Sequence, residues 1–289
     1  MSKLEKIKKF IDCNWFLENN VSIKKYYKVN KKAYRFFHSK RGFMHMKISF
    51  NGKMQDCGDE YQPNTVMKYI NEKTKHILEL GCGQGANLYY LAIKNKDIKF
   101  TGIDLYPSID KKLANVTLIS ADYHSLDKIK SNSQEIVYAF ETLCYSQNKE
   151  IIFKEVSRVL KKGGVFIIFD GYSNVKEKDI SLEQKELMNL VSKGMGVSEF
   201  EYYENIKNYA NRNNFKEIEI KELTREILPN TDKFKNIVEK CMKFGVLFKF
   251  FCKILPREFV GNAISGYLLS EALEEKLYCY YEHIYKKEN

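Results

Sequence analysis

The sequence predicts an α/β protein: a doubly wound, seven-stranded, mostly parallel sheet with a helical N-terminal segment and inserted helical caps. Three observations predict it. From His76 onward, short apolar runs alternate with amphipathic stretches, the rhythm of βα units around a parallel sheet. A glycine-rich turn, Gly81-Cys-Gly83-Gln-Gly85, joins the first run to the first amphipathic stretch. The chain of 289 residues is 44% hydrophobic with only 4 Pro and 15 Gly, enough for one large core and without a marked linker.

Taken in order, residues 1–75 read as helical and loop-like, a segment able to cover a cofactor or substrate. The core follows over 76–289. His76 to Leu80 is the first strand, Ala86 to Asn95 the first helix, Ile98 to Asp104 the second strand, and Val116 to Ser120 the third. Glu135 to Glu141 reads as the fourth strand and Val165 to Asp170 as the fifth. Between them Lys149 to Lys162 carries Ile152, Val156, Val159 and Leu160 at helical spacing and stops at Gly163-Gly164. After Asp170 the rhythm breaks. A polar helical stretch from Leu182 to Lys193 and a helix ending near Asn213-Asn214 precede a strand from Phe215 to Leu223. An aromatic helical region then runs from Leu228 to Pro256, and Lys276 to Tyr285 is a final strand. The stretches about 176–213 and 228–270 are therefore expected to be helical lid insertions.

Composition narrows the function. Seven cysteines form no C-x-x-C pair, and their odd number speaks against a disulfide framework, so reduced thiols in a cytoplasm are expected. Five scattered histidines make no zinc motif. Met1 to Asn20 mixes Lys3, Lys6, Lys8 and Lys9 with Glu5, Asp12 and Glu18 and holds no apolar run of signal-peptide length. The greasiest segment, Phe244 to Leu255, is too short and too charged, with Lys249 and Lys253 inside it, to span a bilayer. A lid, a peripheral membrane contact and plain packing all remain open for it. The net charge of +11 would suit a polyanion, but Lys and Arg read as strewn along the chain among acids, and no separate basic module flanks the core, so nucleic acid is not the expected partner.

The glycine turn is the most informative feature. Such a turn between a buried strand and a helix lets the backbone approach a ligand and points N–H groups at it. Asp104, at the end of the next strand, is placed to accept hydrogen bonds from a ribose diol. The spacing G-x-G-x-G, preceded by Glu79, differs from the G-x-G-x-x-G of nicotinamide enzymes. From His76 to about Tyr172 the sequence resembles the Rossmann-like class I S-adenosylmethionine-dependent methyltransferases. Gly102-Ile-Asp104 is similar to their ribose-binding strand end, and Ser120-Ala-Asp122-Tyr123 to the segment that reads adenine. Val156-Ser-Arg-Val-Leu160-Lys-Lys-Gly-Gly164 resembles their R-V-L-K-P-G-G helix end, with Lys162 where proline is usual. The resemblance implies S-adenosylmethionine as cofactor: Glu79 and the Gly81 backbone at the methionine end, Gly83 and Gly85 also cofactor-binding, Asp104 on the ribose, Asp122 at the adenine amino group, and Leu105 and Tyr123 beside the base.

Phe140-Glu-Thr-Leu-Cys144-Tyr-Ser146, after the fourth strand, resembles the E-[AST]-x-C-[HY] signature of sterol C-methyltransferases. Tyr26-Tyr27, Tyr34 and Gly42-Phe-Met-His45 resemble that group's cofactor-covering segment, and Asn214-Phe215 to Thr224 echoes a strand of the sterol and tocopherol branch. The resemblance implies methyl transfer to a small apolar or amine-bearing acceptor, with Tyr27 over the cofactor. Glu141 is a candidate general base or a carboxylate facing a cationic group, and otherwise a strand-end acid capping a helix. His45 is a candidate base or a hydrogen-bond partner of the cofactor carboxylate, and otherwise a loop histidine. Tyr145, with Tyr172, Tyr202, Tyr203 and Tyr267, is a candidate for an aromatic wall around the acceptor. No Asp-Asn pair follows Glu141-Thr142 to hold a divalent ion, so no metal is expected. RNA or protein methylation and a non-catalytic cofactor-binding domain are the alternatives.

Overall fold

The computed structural model describes residues 2–13 and 22–288; positions 1 and 14–20 of the stretch read for a targeting segment lie outside them. Seven strands form one sheet: β1 (His76–Leu80), β2 (Lys99–Asp104), β3 (Val116–Ser120), β4 (Gln134–Phe140), β5 (Leu160–Ser173), β6 (Phe215–Glu222) and β7 (Tyr278–Lys287). Their spatial order is β3-β2-β1-β4-β5-β7-β6, parallel from β3 to β5, with β7 antiparallel to both β5 and β6. The expected Rossmann-like α/β sheet is therefore present. Strand order reverses between β1 and β4, and in such sheets a ligand crevice opens at the carboxyl ends of the strands flanking the reversal.

Helices cover both faces. They are α1 (Lys3–Lys8), α2 (Ile23–Ala33), α3 (Tyr61–Lys68), α4 (Ala86–Lys94), α5 (Lys149–Val159), α6 (Leu182–Gly194), α7 (Tyr203–Arg212), α8 (Thr224–Met242), α9 (Val246–Ile254) and α10 (Arg257–Glu274). Because strand side chains alternate, Ile136, Tyr138 and Phe140 of β4 enter one apolar cluster while Val137 and Ala139 enter the other. The first cluster takes in Leu88 and Leu91 of α4, Leu190 of α6 and Leu268 of α10. The second is closed by Ile152, Phe153 and Val156 of α5 and by Ile206 and Ala210 of α7. The 176–213 stretch thus divides: α6 packs among the covering helices, whereas α7 joins the layer on the opposite face. Among the described residues no helix is long and apolar enough to cross a membrane.

Three sequence-based boundaries need correction. The helix expected over Lys149 to Lys162 ends at Val159, because Leu160 adopts extended backbone and pairs with Gln134, so Gly163-Gly164 lie inside β5 at a register irregularity. β5 is longer than the expected Val165 to Asp170 because β7 pairs with it antiparallel as far as Ser173↔Tyr278. The aromatic helical region is three helices, broken at Gly245 (φ +54°) and Pro256, and it extends to Glu274. In α10, buried residues occupy nearly every face, so no amphipathic stripe announces it.

Candidate active site

The glycine turn leaves β1 with Gly81, Gly83 and Gly85 all at positive φ, the backbone region that L side chains disfavour. The glycines differ in what surrounds them. A Cβ at Gly81 would lie 1.9 Å from Thr142 Oγ1, so this glycine lets β1 and the end of β4 touch. A Cβ at Gly83 would meet no protein atom within 4 Å, because it would project into a cavity. Gly85 caps α4 in left-handed conformation beside Ser108 and Ile109 and is not part of the cavity wall.

That cavity, about 1060 Å³, sits over the carboxyl ends of β1 and β4. Asp104 accepts the Gly83 N–H at 3.0 Å and the Tyr106 N–H at 2.8 Å, which fixes its carboxylate at the rim. Glu79 is buried beneath the turn. Its Oε1 accepts Asn87 Nδ2 at 3.0 Å and its Oε2 accepts the Tyr138 hydroxyl at 3.1 Å, while burial pushes its carboxyl up to about 8. His45 Nε2 lies 3.0 Å from Asn87 Oδ1, extending the same chain, and burial pushes its imidazole below the usual range. At the other rim Asp122 receives both the backbone N–H and Nδ1 of His124 on its Oδ1. Burial opposes ionisation there, but the His124 hydrogen bonds outweigh it and hold the carboxyl below its ordinary value. Tyr123 donates to the Thr142 carbonyl at 2.9 Å, and Leu105 is half exposed at the rim.

Glu141 follows β4 at φ +48°, a conformation that costs a non-glycine residue free energy and that recurs at functional sites. Its own N–H is held by the Phe169 carbonyl at 2.7 Å. The half-buried carboxylate receives the Met46 N–H at 2.5 Å and the Tyr280 hydroxyl at 2.8 Å, both on Oε1. Burial pushes the carboxyl up to about 8 against these two hydrogen bonds. Next to it Asp170, raised to about 6 by burial, accepts the backbone N–H of Cys144 and of Gly171. Glu141 is thus no helix cap.

The structure gathers Tyr27, His45, Glu79, Gly81, Gly83 and Asp104 at this one cavity, together with Leu105, Asp122, Tyr123, Glu141 and Tyr145. Tyr27 and Tyr145 meet edge to face at 5.9 Å. The aromatic wall requires correction. Tyr145 and Tyr172 line the cavity, but Tyr203 stacks on Tyr281 at 4.1 Å, Tyr202 lies under Lys176, and Tyr267 is buried within the packing of α10. Tyr26, Tyr34, Tyr278 and Tyr280 take those places. Sequence reasoning also missed Asn87, Thr142 and Asp170. For Tyr280 the available signal was the alternation of the last strand, which puts Tyr278, Tyr280 and Glu282 on one face, but the neighbour of that face follows only from sheet order.

Two further features fit a bound S-adenosylmethionine. Gly83 leaves open a space that any side chain would fill, and Gln84 Oε1 and the Tyr172 hydroxyl are buried at the wall without a partner among the described residues. Buried polar atoms without partners cost about 1–3 kcal/mol each, a cost that a polar ligand relieves.

Comparison with known proteins agrees with the geometry. Residues 78–168 match the family model for a methyltransferase domain. The sterol 4-C-methyltransferase strm-1 of Caenorhabditis elegans is 31% identical over 121 residues, covering 38% of this chain and 34% of that protein. The sterol 24-C-methyltransferase ERG6 of Saccharomyces cerevisiae is 22% identical over 130 residues, covering 42% and 34%. The chain spans about a third of the length of these curated relatives. Among solved structures, mycolic acid cyclopropane synthase CmaA1 complexed with SAH and CTAB superposes with a TM-score of 0.72 at 12% identity, covering 93% of this chain and 100% of that one. Geranyl diphosphate methyltransferase in complex with GPP and sinefungin gives 0.64 at 11% identity, covering 99% of each. At these identities the structural likeness establishes the fold.

Proposed function

We propose that this chain, whose core is a class I S-adenosylmethionine-dependent methyltransferase domain, transfers a methyl group to a small, mainly apolar acceptor held in the same cavity as the cofactor. One observation carries the proposal: a single cavity runs from the glycine turn and Asp104, past Glu141, to an apolar chamber walled by Phe234, Val238, Leu247, Phe251 and Leu269. A methyl donor and a greasy acceptor fit its two ends.

The cofactor supplies an electrophilic methyl on a positively charged sulfur. The chain supplies the rest. Asp104, already fixed by two backbone N–H groups, would take the ribose hydroxyls, and Asp122 keeps Oδ2 for the adenine amino group, with Leu105 and Tyr123 beside the base. Glu79 and the Gly81 backbone would orient the methionine end, while His45, whose Nε2–H donates to Asn87 Oδ1, would position that network. Bringing a nucleophile into line with the methyl is the main catalytic demand, and proximity meets most of it. The wall contributed by residues 23–46 and 227–280 would limit the access of water to the reacting centre once cofactor and acceptor are bound. Glu141, whose Oε2 is not engaged by Met46 or Tyr280, is positioned to accept a proton from the acceptor or to face positive charge developing on it. The free cysteines favour a reducing, cytoplasmic setting.

The test is calorimetric titration with S-adenosylhomocysteine. Asp104→Ala is expected to weaken binding at least tenfold, since a hydrogen bond to a charged group contributes about 1.5–3 kcal/mol. Affinity equal to wild type would remove the ribose assignment.

A further inference from the structure

The roof of the apolar chamber has a second apolar side. Helix α9 has no buried residue: Leu247, Phe248 and Phe251 line the cavity, with Leu247 and Phe251 still 50% and 41% exposed, and Val246, Phe250 and Ile254, at i, i+4 and i+8, form a stripe outside the cavity at 86%, 53% and 57% exposure. A helix that only roofed a cavity would be polar on that outer face. Here the polar residues beside the stripe are Lys249 and Lys253. The turn Tyr34–His38 repeats the pattern: Phe37 lines the same cavity while Phe36 stands 79% exposed.

Charge is concentrated on the same two segments. Residues 22–55 contain ten Lys and Arg and no Asp or Glu, and residues 240–257 contain five and none. These fifteen positive charges exceed the net +11, so the rest of the chain is net negative by four, and the expectation of basic residues strewn evenly is corrected. Some are neutralised locally, as Lys25 is by Glu258 and Arg41 by Asp59 and Glu60. Lys28 and Lys31 stay exposed at the cavity wall, as do Lys249 and Lys253 on α9.

We propose that this face docks on an anionic lipid bilayer, with Phe36, Val246, Phe250 and Ile254 entering the headgroup region and the surrounding lysines against acidic headgroups. Apolar residues interleaved with lysine on one face suit that interface, where burial of greasy side chains and attraction to anionic lipid add together. A second copy of the chain would set two strongly positive faces against each other. A nucleic acid would neutralise the lysines but leave the aromatic stripe in water. The inference deepens the functional reading, since the acceptor would enter from the bilayer beside the roof helix, but docking itself does not require methyl transfer.

The test is flotation of the full chain with vesicles of phosphatidylcholine alone or with about 30% phosphatidylserine, at about 0.1 M and about 0.5 M NaCl, salt that shortens the reach of surface charge. Wild type is expected to float with the phosphatidylserine vesicles at low salt and to be largely released at high salt. The double variant Val246→Glu, Phe250→Glu is expected to float about tenfold less or weaker still, with unchanged melting temperature and S-adenosylhomocysteine affinity. Lys249→Glu with Lys253→Glu should lose the preference for phosphatidylserine. Wild type that floats with neither vesicle, variants that float as wild type does, or a wild-type dimer that the double variant dissociates would each overturn the proposal. The S-adenosylhomocysteine titration on the same samples separates the two readings: its failure defeats the cofactor site, whereas failure of flotation defeats only docking.

Discussion

Gly83→Val is expected to yield a folded protein that has lost S-adenosylhomocysteine binding by about 10²-fold or more, equivalent to about 2.7 kcal/mol. The added side chain would meet no protein atom near its Cβ and would enter the space assigned to the cofactor. A positive φ at this position adds backbone strain of about 1–2 kcal/mol, so the melting temperature should drop by a few degrees. Gly83→Ala keeps the strain with less bulk and separates the two effects. Gly81→Val should behave in the opposite sense. Its Cβ would collide with Thr142, so stability falls whether or not cofactor is present. Thermal melts with and without S-adenosylhomocysteine distinguish the pair, and equal ligand-induced stabilisation of Gly83→Val and wild type would contradict the assignment of the turn.

Glu141→Gln should reduce turnover by about 10²-fold or more while changing S-adenosylhomocysteine affinity little, the signature of a residue acting on the acceptor. The pH dependence has a definite sign. The folded carboxyl holds its proton up to about 8, whereas an unfolded glutamate loses it near 4.5. Its contribution to stability is therefore complete below about 4.5 and is lost as pH rises through about 8. Wild type should lose unfolding free energy across that window, and Glu141→Gln should lose less. If the ionised carboxylate takes the proton, turnover should rise toward pH 8 and level off above it. Tyr280→Phe removes a hydrogen bond that favours the ionised form, so it should move that rise to higher pH with the cofactor affinity intact. A flat rate profile in wild type together with normal turnover in Glu141→Gln would reduce Glu141 to a structural residue.

Legibility followed the range of the interactions involved. The boundaries of β1 and β3, the glycine turn and the place of Asp104 at the end of β2 were readable because each depends on a few adjacent residues: an apolar run, a turn requiring positive φ, a strand-end acid. Glu141 could be located after β4 but not characterised, since its two donors lie far away in sequence: Tyr280 arrives because β7 inserts between β5 and β6, and Met46 comes from the N-terminal segment. Leu160 read as helix because its apolar side chain fits the spacing of α5, yet pairing with β4 and the long antiparallel contact of β5 with β7 decided its conformation. Among the tyrosines, composition gave no means of separating Tyr280, which faces the cavity, from Tyr281, which stacks on Tyr203 on the opposite side of the strand.

Incubation of the full chain with methyl-labelled S-adenosylmethionine and a total lipid and metabolite extract, followed by organic extraction, tests the central claim most directly. Label is expected in one or a few apolar small molecules, dependent on an intact Gly83 and reduced in Glu141→Gln. Label confined to RNA or protein, or no transfer from any fraction by a chain that binds S-adenosylhomocysteine, would contradict methyl transfer to a small apolar acceptor.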